Sequence, residues 1–452
     1  MQAIYISLIL YVVLLGFLTY LAARKKRSGD FLVASRGMPW WVLALSIFAS
    51  IISSYNIVVG LSFSYLFGPW VLLVYGGAMF GFYVMYRIVQ RLGIEHIREK
   101  NYTTVIDFFR ERFGERSASL FHLAILLVLF VFIALQFFIN TSLFTTLVGW
   151  STVASVLFVG IVVLLYMFSG GLKVEMFTDV FQGILMLGLV SLIFFVDTSH
   201  VQQETIMSFL HDRTLIVGAF SLAIAQFLTL LAQPEMWQRV YASRSLRDLK
   251  KGFLFSWVLI IAFIIPIVII GVSARAAGVE DPGNLFYTIV QFSAPSWFLP
   301  FISVALFAAF MSTLDSSLFA LGSQIGKYGF WIRRRKEFSD RELVRRTRIA
   351  LVVSAVLAML VSLYFTNFIQ AVMQLVSLFT VISVVILASF IFRMSEREIW
   401  YSALVALVAY GVALFGGYIT AEAYTVLYPS MITALYIVLQ HLYFSFRRKK
   451  KA

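Results

Sequence analysis

The stretch that decides the fold lies inside a long apolar run, about residues 295–326. Residues 308–317 of this run read AAFMSTLDSS, so five small oxygen-bearing side chains fall within six positions. The run is long enough to cross a bilayer as a helix, which takes about 20 residues. Asp315 would then lie roughly 17 Å from the end of the helix near Lys327, close to mid-membrane. A carboxylate at that depth is costly, so it indicates a functional site.

The whole chain shares this apolar character. Of its 452 residues, 61% are hydrophobic and 13% are charged, whereas soluble proteins carry roughly 25% charged residues. We expect an all-α polytopic membrane protein with about 13 transmembrane helices. The apolar runs cover about residues 2–23, 39–61, 68–91, 117–141, 149–169, 177–197, 214–232, 252–274, 295–326, 346–366, 368–392, 398–418 and 424–446.

The positions of the basic residues predict the orientation. With the N-terminus outside and alternating spans, 34 of the 36 Lys and Arg residues fall in cytoplasmic segments, and only Arg213 and Arg275 fall outside. This topology puts the C-terminus in the cytoplasm and explains the net charge of +14 without a nucleic-acid partner. Segments 92–116 and 327–348 are expected to lie at the cytoplasmic face, the first as an amphipathic helix or helix pair.

The oxygen-bearing side chains around Asp315 fall on two adjoining helix stripes. Ser312, Asp315 and Ser316 share one face, and Thr313 and Ser317 form an i, i+4 pair beside it. Oxygen ligands of this kind suit a hard cation such as Na⁺. Asp315 could bind that cation, relay a proton, or be a protonated acid that hydrogen-bonds to a neighbouring helix. No Lys or Arg lies deep in another run to pair with it.

A second polar cluster lies near the middle of the run 39–61. Residues 49–56 read ASIISSYN. A helix that breaks at the midplane frees backbone carbonyls for an ion, although no Pro or Gly marks a break here. Further polar residues inside runs are expected to face a shared interior. They are Gln136, Asn140, Gln226, Thr229, Gln374 and Ser377.

Cysteine and several catalytic motifs are absent from the sequence. There is no cysteine, and the five histidines lie at or near the ends of spans. The catalytic and phosphate-binding motifs GxSxG, HExxH and the phosphate loop do not occur. We therefore expect the protein not to be an enzyme. A carrier is favoured over a channel because no filter-like repeat is found.

Three segments together resemble the sodium:solute symporter family over about residues 1–446. Residues 170–182, GGLKVEMFTDVFQ, resemble the family stretch GGLxxxxxTDxxQ. Gln233-Pro234 followed by 238–245, QRVYASRS, is similar to its QP…QRxxAxxS loop. Residues 309–316, AFMSTLDS, match a third family segment. Their order and spacing make the resemblance specific.

The resemblance implies a leucine-transporter-type fold with two inverted repeats of five helices. The first flanking helix and a cytoplasmic loop would occupy residues 1–38. The repeats would occupy 39–197 and 214–392. Residues 393–452 would hold two C-terminal helices and a basic cytoplasmic tail.

The resemblance also implies site residues. The main sodium site would use Ala49, Ile52, Ala309, Ser312 and Thr313, with backbone carbonyls from the first three. A possible second cation site would use Asp179, Ser312, Asp315 and Ser316, where Asp315 replaces the Ser or Thr of the family. The solute pocket would include Ser53, Ser54, Tyr55, Asn56, Gln136, Asn140, Gln226 and Gln374.

The resulting hypothesis is a secondary active transporter of the cell membrane. It would couple Na⁺ to the uptake of a small organic solute, such as an amino acid, sugar or carboxylate, by alternating access. The alternatives are a proton-coupled carrier and a transporter-like membrane sensor. The expected partners are the solute, the sodium ion and the lipid bilayer, and no obligate protein partner is evident.

Overall fold

The protein is a bundle of α-helices. The computed structural model describes residues 2–23, 30–167, 171–280, 285–330, 332, 338–365 and 367–449; Gly170 of the first family motif lies outside these. In chain order, helices α1 to α19 span Gln2–Ala23, Asp30–Val33, Trp40–Ile51, Ser54–Phe67, Val71–Leu92, Ile94–Glu99, Val105–Leu143, Thr152–Met167, Leu172–Leu187, Gln203–His211, Arg213–Ala232, Pro234–Ala242, Leu246–Ala276, Leu285–Ser293, Leu299–Tyr328, Asp340–Ser362, Phe368–Ile391, Glu396–Phe415 and Tyr428–Lys449.

The fold class expected from the sequence is confirmed. Among the described residues, ten helices are long and apolar enough to cross a membrane. The number thirteen stays a prediction, since three of the expected spans are not among these ten: 39–61, 149–169 and 346–366. The last of them lies on α16, whose first turns carry several charged residues. The run 39–61 is divided between α3 and α4, and the run 149–169 contains the 16-residue α8.

Helix α15 lies at the centre of the bundle. It packs against α3, α7, α9 and α16. Of the residues in its spanning segment, 94% are buried. Helix α3 in turn contacts α9 and α13. The polar cluster of α15 therefore faces protein on all sides, and its position next to α3 brings together the two polar clusters found in the sequence.

Segments expected on the same side of the membrane meet in space. At one end of the bundle, an Nη atom of Arg98 donates to the Arg244 carbonyl at 2.7 Å, and Lys327 pairs with Asp107 at 2.8 Å. At the other end, the Arg275 guanidinium lies 4.5 Å from the centre of the Phe209 ring. This sorting agrees with the alternation used to assign the loops.

The segment 92–116, which is expected at the cytoplasmic face, forms a helix pair. Helix α6 is followed by the first turns of α7, and Gly114 interrupts the helical dihedral angles of α7 with φ 81°. Only glycine adopts this conformation without strain. Phe109 and Phe113, which precede this kink in the chain, are buried in the core.

Candidate functional site

The break between α3 and α4 creates a set of free backbone acceptors. Helix α3 ends at Ile51, and α4 begins after Ser53. The Ser53 hydroxyl accepts a hydrogen bond from the Asn56 backbone nitrogen at 3.1 Å. The last four carbonyls of a helix have no partner within it. They also carry the negative end of the helix dipole, which favours a cation.

Side chains satisfy three of these carbonyls. The Ser312 hydroxyl lies 2.9 Å from the Ala49 carbonyl oxygen, and the Thr313 hydroxyl lies 3.4 Å from that of Ser50. The Asn56 side-chain amide donates to the Ile51 carbonyl at 2.5 Å. A buried acceptor without a hydrogen bond is costly, so these side chains hold the broken helix in place.

Four of the five oxygens expected to bind sodium meet here. The Ser312 and Thr313 hydroxyls also lie 3.0 Å and 3.3 Å from the Ala309 carbonyl oxygen. With the Ala49 carbonyl, they form a compact group of neutral oxygens, which is a donor set suited to Na⁺. The resemblance implied Ile52 as the fifth oxygen, and the Ser50 carbonyl also lies next to the Thr313 hydroxyl.

Two of the residues expected at a second cation site, Asp179 and Ser316, contact a guanidinium group. An Nη atom of Arg239 lies 2.8 Å from an Asp179 carboxylate oxygen and 2.8 Å from the Ser316 hydroxyl. Its Nε donates to the Ser46 hydroxyl at 2.9 Å, and that hydroxyl lies 2.6 Å from Asp179. Arg239 also reaches Glu175 at 3.3 Å. This fixed positive charge therefore neutralises Asp179 within the bundle.

Asp315 lies beside this ionic group without joining it. One carboxylate oxygen accepts from the Ser316 backbone nitrogen at 2.6 Å, and the other has no hydrogen-bond partner among the described residues. The residue is 1% exposed. The structure thus brings Ser312, Asp315, Ser316 and Asp179 close together, with Arg239 between the last two.

Arg239 and Glu175 are the site residues that the sequence reasoning missed. The charge of Arg239 predicts a position in a loop between spans. In the structure Arg239 lies on α12 inside the core, where its side chain is 0% exposed. The signal was present, since both residues lie inside the two family motifs. Glu235, on α12 between the spanning helices, is also enclosed, and burial raises its pKa to about 7.

A small cavity lies next to the oxygens that are expected to bind sodium. Its volume is about 50 Å³, room for a few water molecules. Ser50 and Ile51 border it on the α3 side. Its other lining residues are Asn56, Ala78, Phe132, Gln226, Thr229, Leu230, Gln233, Leu375, Val376 and Phe379. None of these residues carries a formal charge, so the cavity offers amide, hydroxyl and aromatic contacts.

The residues expected to bind solute do not all line this cavity. Asn56 and Gln226 line the cavity, whereas Ser53 and Ser54 are buried at the helix break beside it. Gln374 lies on α17 but is not among the lining residues. Gln136 and Asn140 are buried on α7, where the Asn140 amide donates to the Gln136 carbonyl at 2.7 Å. The side chain of Tyr55 lies outside the described part of the chain.

Comparisons with known proteins agree with this architecture. The Osmoregulated proline transporter OpuE of Bacillus subtilis (strain 168) is 26% identical over 386 residues, covering 80% of this chain and 77% of the relative. The Sodium/sialic acid symporter NanT of Aliivibrio fischeri (strain ATCC 700601 / ES114) is 23% identical over 399 residues, covering 80% and 76%.

A solved structure has the same fold. It is the substrate-bound outward-open state of a Na⁺-coupled sialic acid symporter, which matches with a TM-score of 0.78 over 97% of each chain at 18% identity. The model of the Sodium:solute symporter family matches residues 31–409. That match covers most of the polytopic bundle, including both polar clusters and all three motifs. The chain belongs to the sodium:solute symporter family.

Proposed function

We propose that the protein couples the entry of Na⁺ to the uptake of a small organic solute. The observation that carries this proposal is the meeting of the Ser312 and Thr313 hydroxyls with the Ala49 and Ala309 carbonyls at a broken helix. Sodium would replace the hydrogen bonds among these oxygens with direct coordination. Ile52 would supply a further carbonyl when the break rearranges.

The solute would bind in the cavity beside this site. Asn56, Gln226, Thr229 and Gln233 supply uncharged donors and acceptors, and Phe132 supplies an apolar contact. This lining suits a small neutral or zwitterionic solute, such as an amino acid, or a carboxylate held by amide and hydroxyl donors. The cavity has room for only a few water molecules, so α3, α4 and α17 must move apart to admit the solute.

The shared border of the two sites provides the coupling. Ser50 lines the cavity, and its carbonyl contacts the Thr313 hydroxyl at 3.4 Å. An ion that orders the end of α3 therefore also orders one wall of the solute cavity. Binding of each ligand then favours binding of the other, as linkage requires. The two proposed five-helix repeats, 39–197 and 214–392, would move relative to each other to alternate access.

Sodium-dependent uptake into proteoliposomes tests this proposal. Solutes would be screened over amino acids, sugars and carboxylates, first in the wild-type protein. Thr313→Ala removes one coordinating hydroxyl and should raise the sodium concentration for half-maximal uptake by about tenfold, which corresponds to roughly 1.4 kcal/mol. Apparent solute affinity should fall at limiting sodium and recover at high sodium.

Ser317→Ala is the matched control for this variant. Ser317 lies one helical turn from Thr313 and is equally buried, but its hydroxyl has no hydrogen-bond partner among the described residues. Its removal should leave the sodium dependence unchanged. Transport by Thr313→Ala with wild-type sodium dependence would reject the sodium site and with it the symport proposal.

Proton coupling is the second candidate, favoured by Asp315. Its carboxyl group is buried and retains one oxygen without a partner among the described residues. A proton or a second cation at that oxygen would neutralise the group. Either would add to the sodium ion bound at Ser312 and Thr313.

A further inference from the structure

A second, larger cavity lies on the outer surface of the bundle between α7, α15 and α16. Its volume is about 550 Å³, which is within the roughly 300–1,000 Å³ typical of small-molecule sites. Apolar side chains form most of its wall, and several of them are about half exposed on the surface of the bundle. The wall includes Phe130 and Ile325, and its half-exposed members include Leu123, Leu127, Val353 and Leu357.

Helices α15 and α16 are in close contact next to this cavity. A Cβ atom added to Gly326 would lie 2.4 Å from the Thr347 hydroxyl oxygen and 2.9 Å from the Thr347 backbone nitrogen. The two backbones therefore touch here, and larger side chains on either side project outward as walls. The cavity is a built feature of the helix packing.

One end of the cavity is positively charged. Arg346 lines it, donates from Nε to the Gly326 carbonyl at 3.0 Å, and lies with Cζ 4.0 Å from the centre of the Phe338 ring. No carboxylate pairs with Arg346 among the residues described by the structure. The segment 327–348 contains nine basic and three acidic residues, so this end of the cavity attracts anions.

We propose that this cavity binds an anionic phospholipid, with one acyl chain between α7, α15 and α16 and the headgroup phosphate at Arg346. The apolar wall matches the chain, and the arginine at the charged end matches the phosphate. Basic pockets between transmembrane helices recognise anionic headgroups in this way. The site is separate from the solute cavity, and the proposal does not depend on which solute is carried.

Photolabelling of the full chain in lipid nanodiscs tests the proposal. The nanodiscs contain equal amounts of phosphatidylglycerol and phosphatidylcholine, and one of the two carries a diazirine in its acyl chain. Labelled phosphatidylglycerol should modify peptides covering 123–130 and 349–357 more than labelled phosphatidylcholine does. Arg346→Gln should reduce this preference by about fivefold, the effect expected for one basic residue near a membrane surface. Ala350→Trp should fill the cavity and reduce labelling by both lipids.

Two matched controls accompany these variants. Arg341→Gln removes an exposed charge from the same segment, and Val408→Trp adds a large side chain on the exposed face of α18. Neither should change the labelling. Equal labelling by both lipids in the wild-type protein would overturn the proposal. Displacement of the phosphatidylglycerol label by inorganic phosphate would also overturn it, because that result indicates a free anion as the ligand. If Ala350→Trp does not fold, displacement of the label by unlabelled phosphatidylglycerol, but not by phosphatidylcholine, supports the proposal, and failure to displace it overturns it.

Discussion

Arg239 determines how charge is distributed at the centre of the protein. It contacts Asp179, Glu175, Ser46 and Ser316 from a fully buried position. Removing one partner from a buried ion pair costs roughly 3–5 kcal/mol because an uncompensated charge remains. Asp179 therefore belongs to this ion pair in the structure. Asp315 lies outside the pair, and one of its carboxylate oxygens has no hydrogen-bond partner among the described residues.

Asp315→Asn distinguishes the roles open to this residue. If Asp315 binds a proton or a second cation, the variant should change the pH dependence of uptake or the charge moved per solute. The sodium dependence set by Thr313 should persist, because the main oxygen group remains intact. Uptake and currents measured in proteoliposomes over a series of pH values provide the readout.

Asp197→Asn is a suitable control for that experiment, since Asp197 is an exposed acid in a loop. It should leave both properties unchanged. A silent Asp315→Asn variant would have a different meaning. If Asp315 is protonated and only packs against its neighbours, asparagine can replace it, because a neutral amide can make the hydrogen bond of a neutral acid. Transport by Asp315→Asn that equals the wild type in both measurements would therefore reject the proton-coupled candidate.

At the scale of elements, the break between α3 and α4 joins the ion site to the solute cavity. Asn56 donates to the Ile51 carbonyl across this break and also lines the cavity. Ser53 caps the first turn of α4. One amide thus supports the local backbone and faces the proposed solute.

Asn56→Ala should weaken solute binding more than sodium binding. Loss of one hydrogen bond costs about 0.5–1.5 kcal/mol, or up to about tenfold in affinity. Sodium binding without solute should stay near normal, because Ser312 and Thr313 contact the Ala49 and Ser50 carbonyls independently of Asn56. Equilibrium binding of labelled solute and of ²²Na⁺ to the wild type and to the variant measures both effects.

The control for this element is Ser64→Ala. Ser64 is buried on α4, and its hydroxyl contacts the Gly60 carbonyl within the same helix at 2.5 Å. Its removal should affect neither ligand. A collapse of sodium affinity in Asn56→Ala would show that the amide holds the ion site and that its assignment to the solute is wrong.

At the scale of the whole molecule, the clustering of basic segments predicts the orientation in the membrane. Because the chain has no cysteine, single introduced cysteines report on one position each. Ser199→Cys should react with an impermeant maleimide from outside intact cells, and Lys250→Cys should react only after permeabilisation. Both residues are exposed. Reversed labelling would contradict an outside N-terminus, and labelling of both from one side would contradict the assigned alternation of spans.

The sequence by itself determined the class of the protein and the location of its polar clusters. Apolar length and basic-residue position depend on the bilayer as solvent, so they can be read without knowing any contact. The tertiary structure decided which groups meet. No Pro or Gly marks the break after Ile51, and a charge count placed Arg239 in a loop. Both outcomes depend on distant partners, Ser312 on α15 for the broken helix and Asp179 on α9 for the arginine, which only packing brings within hydrogen-bonding distance.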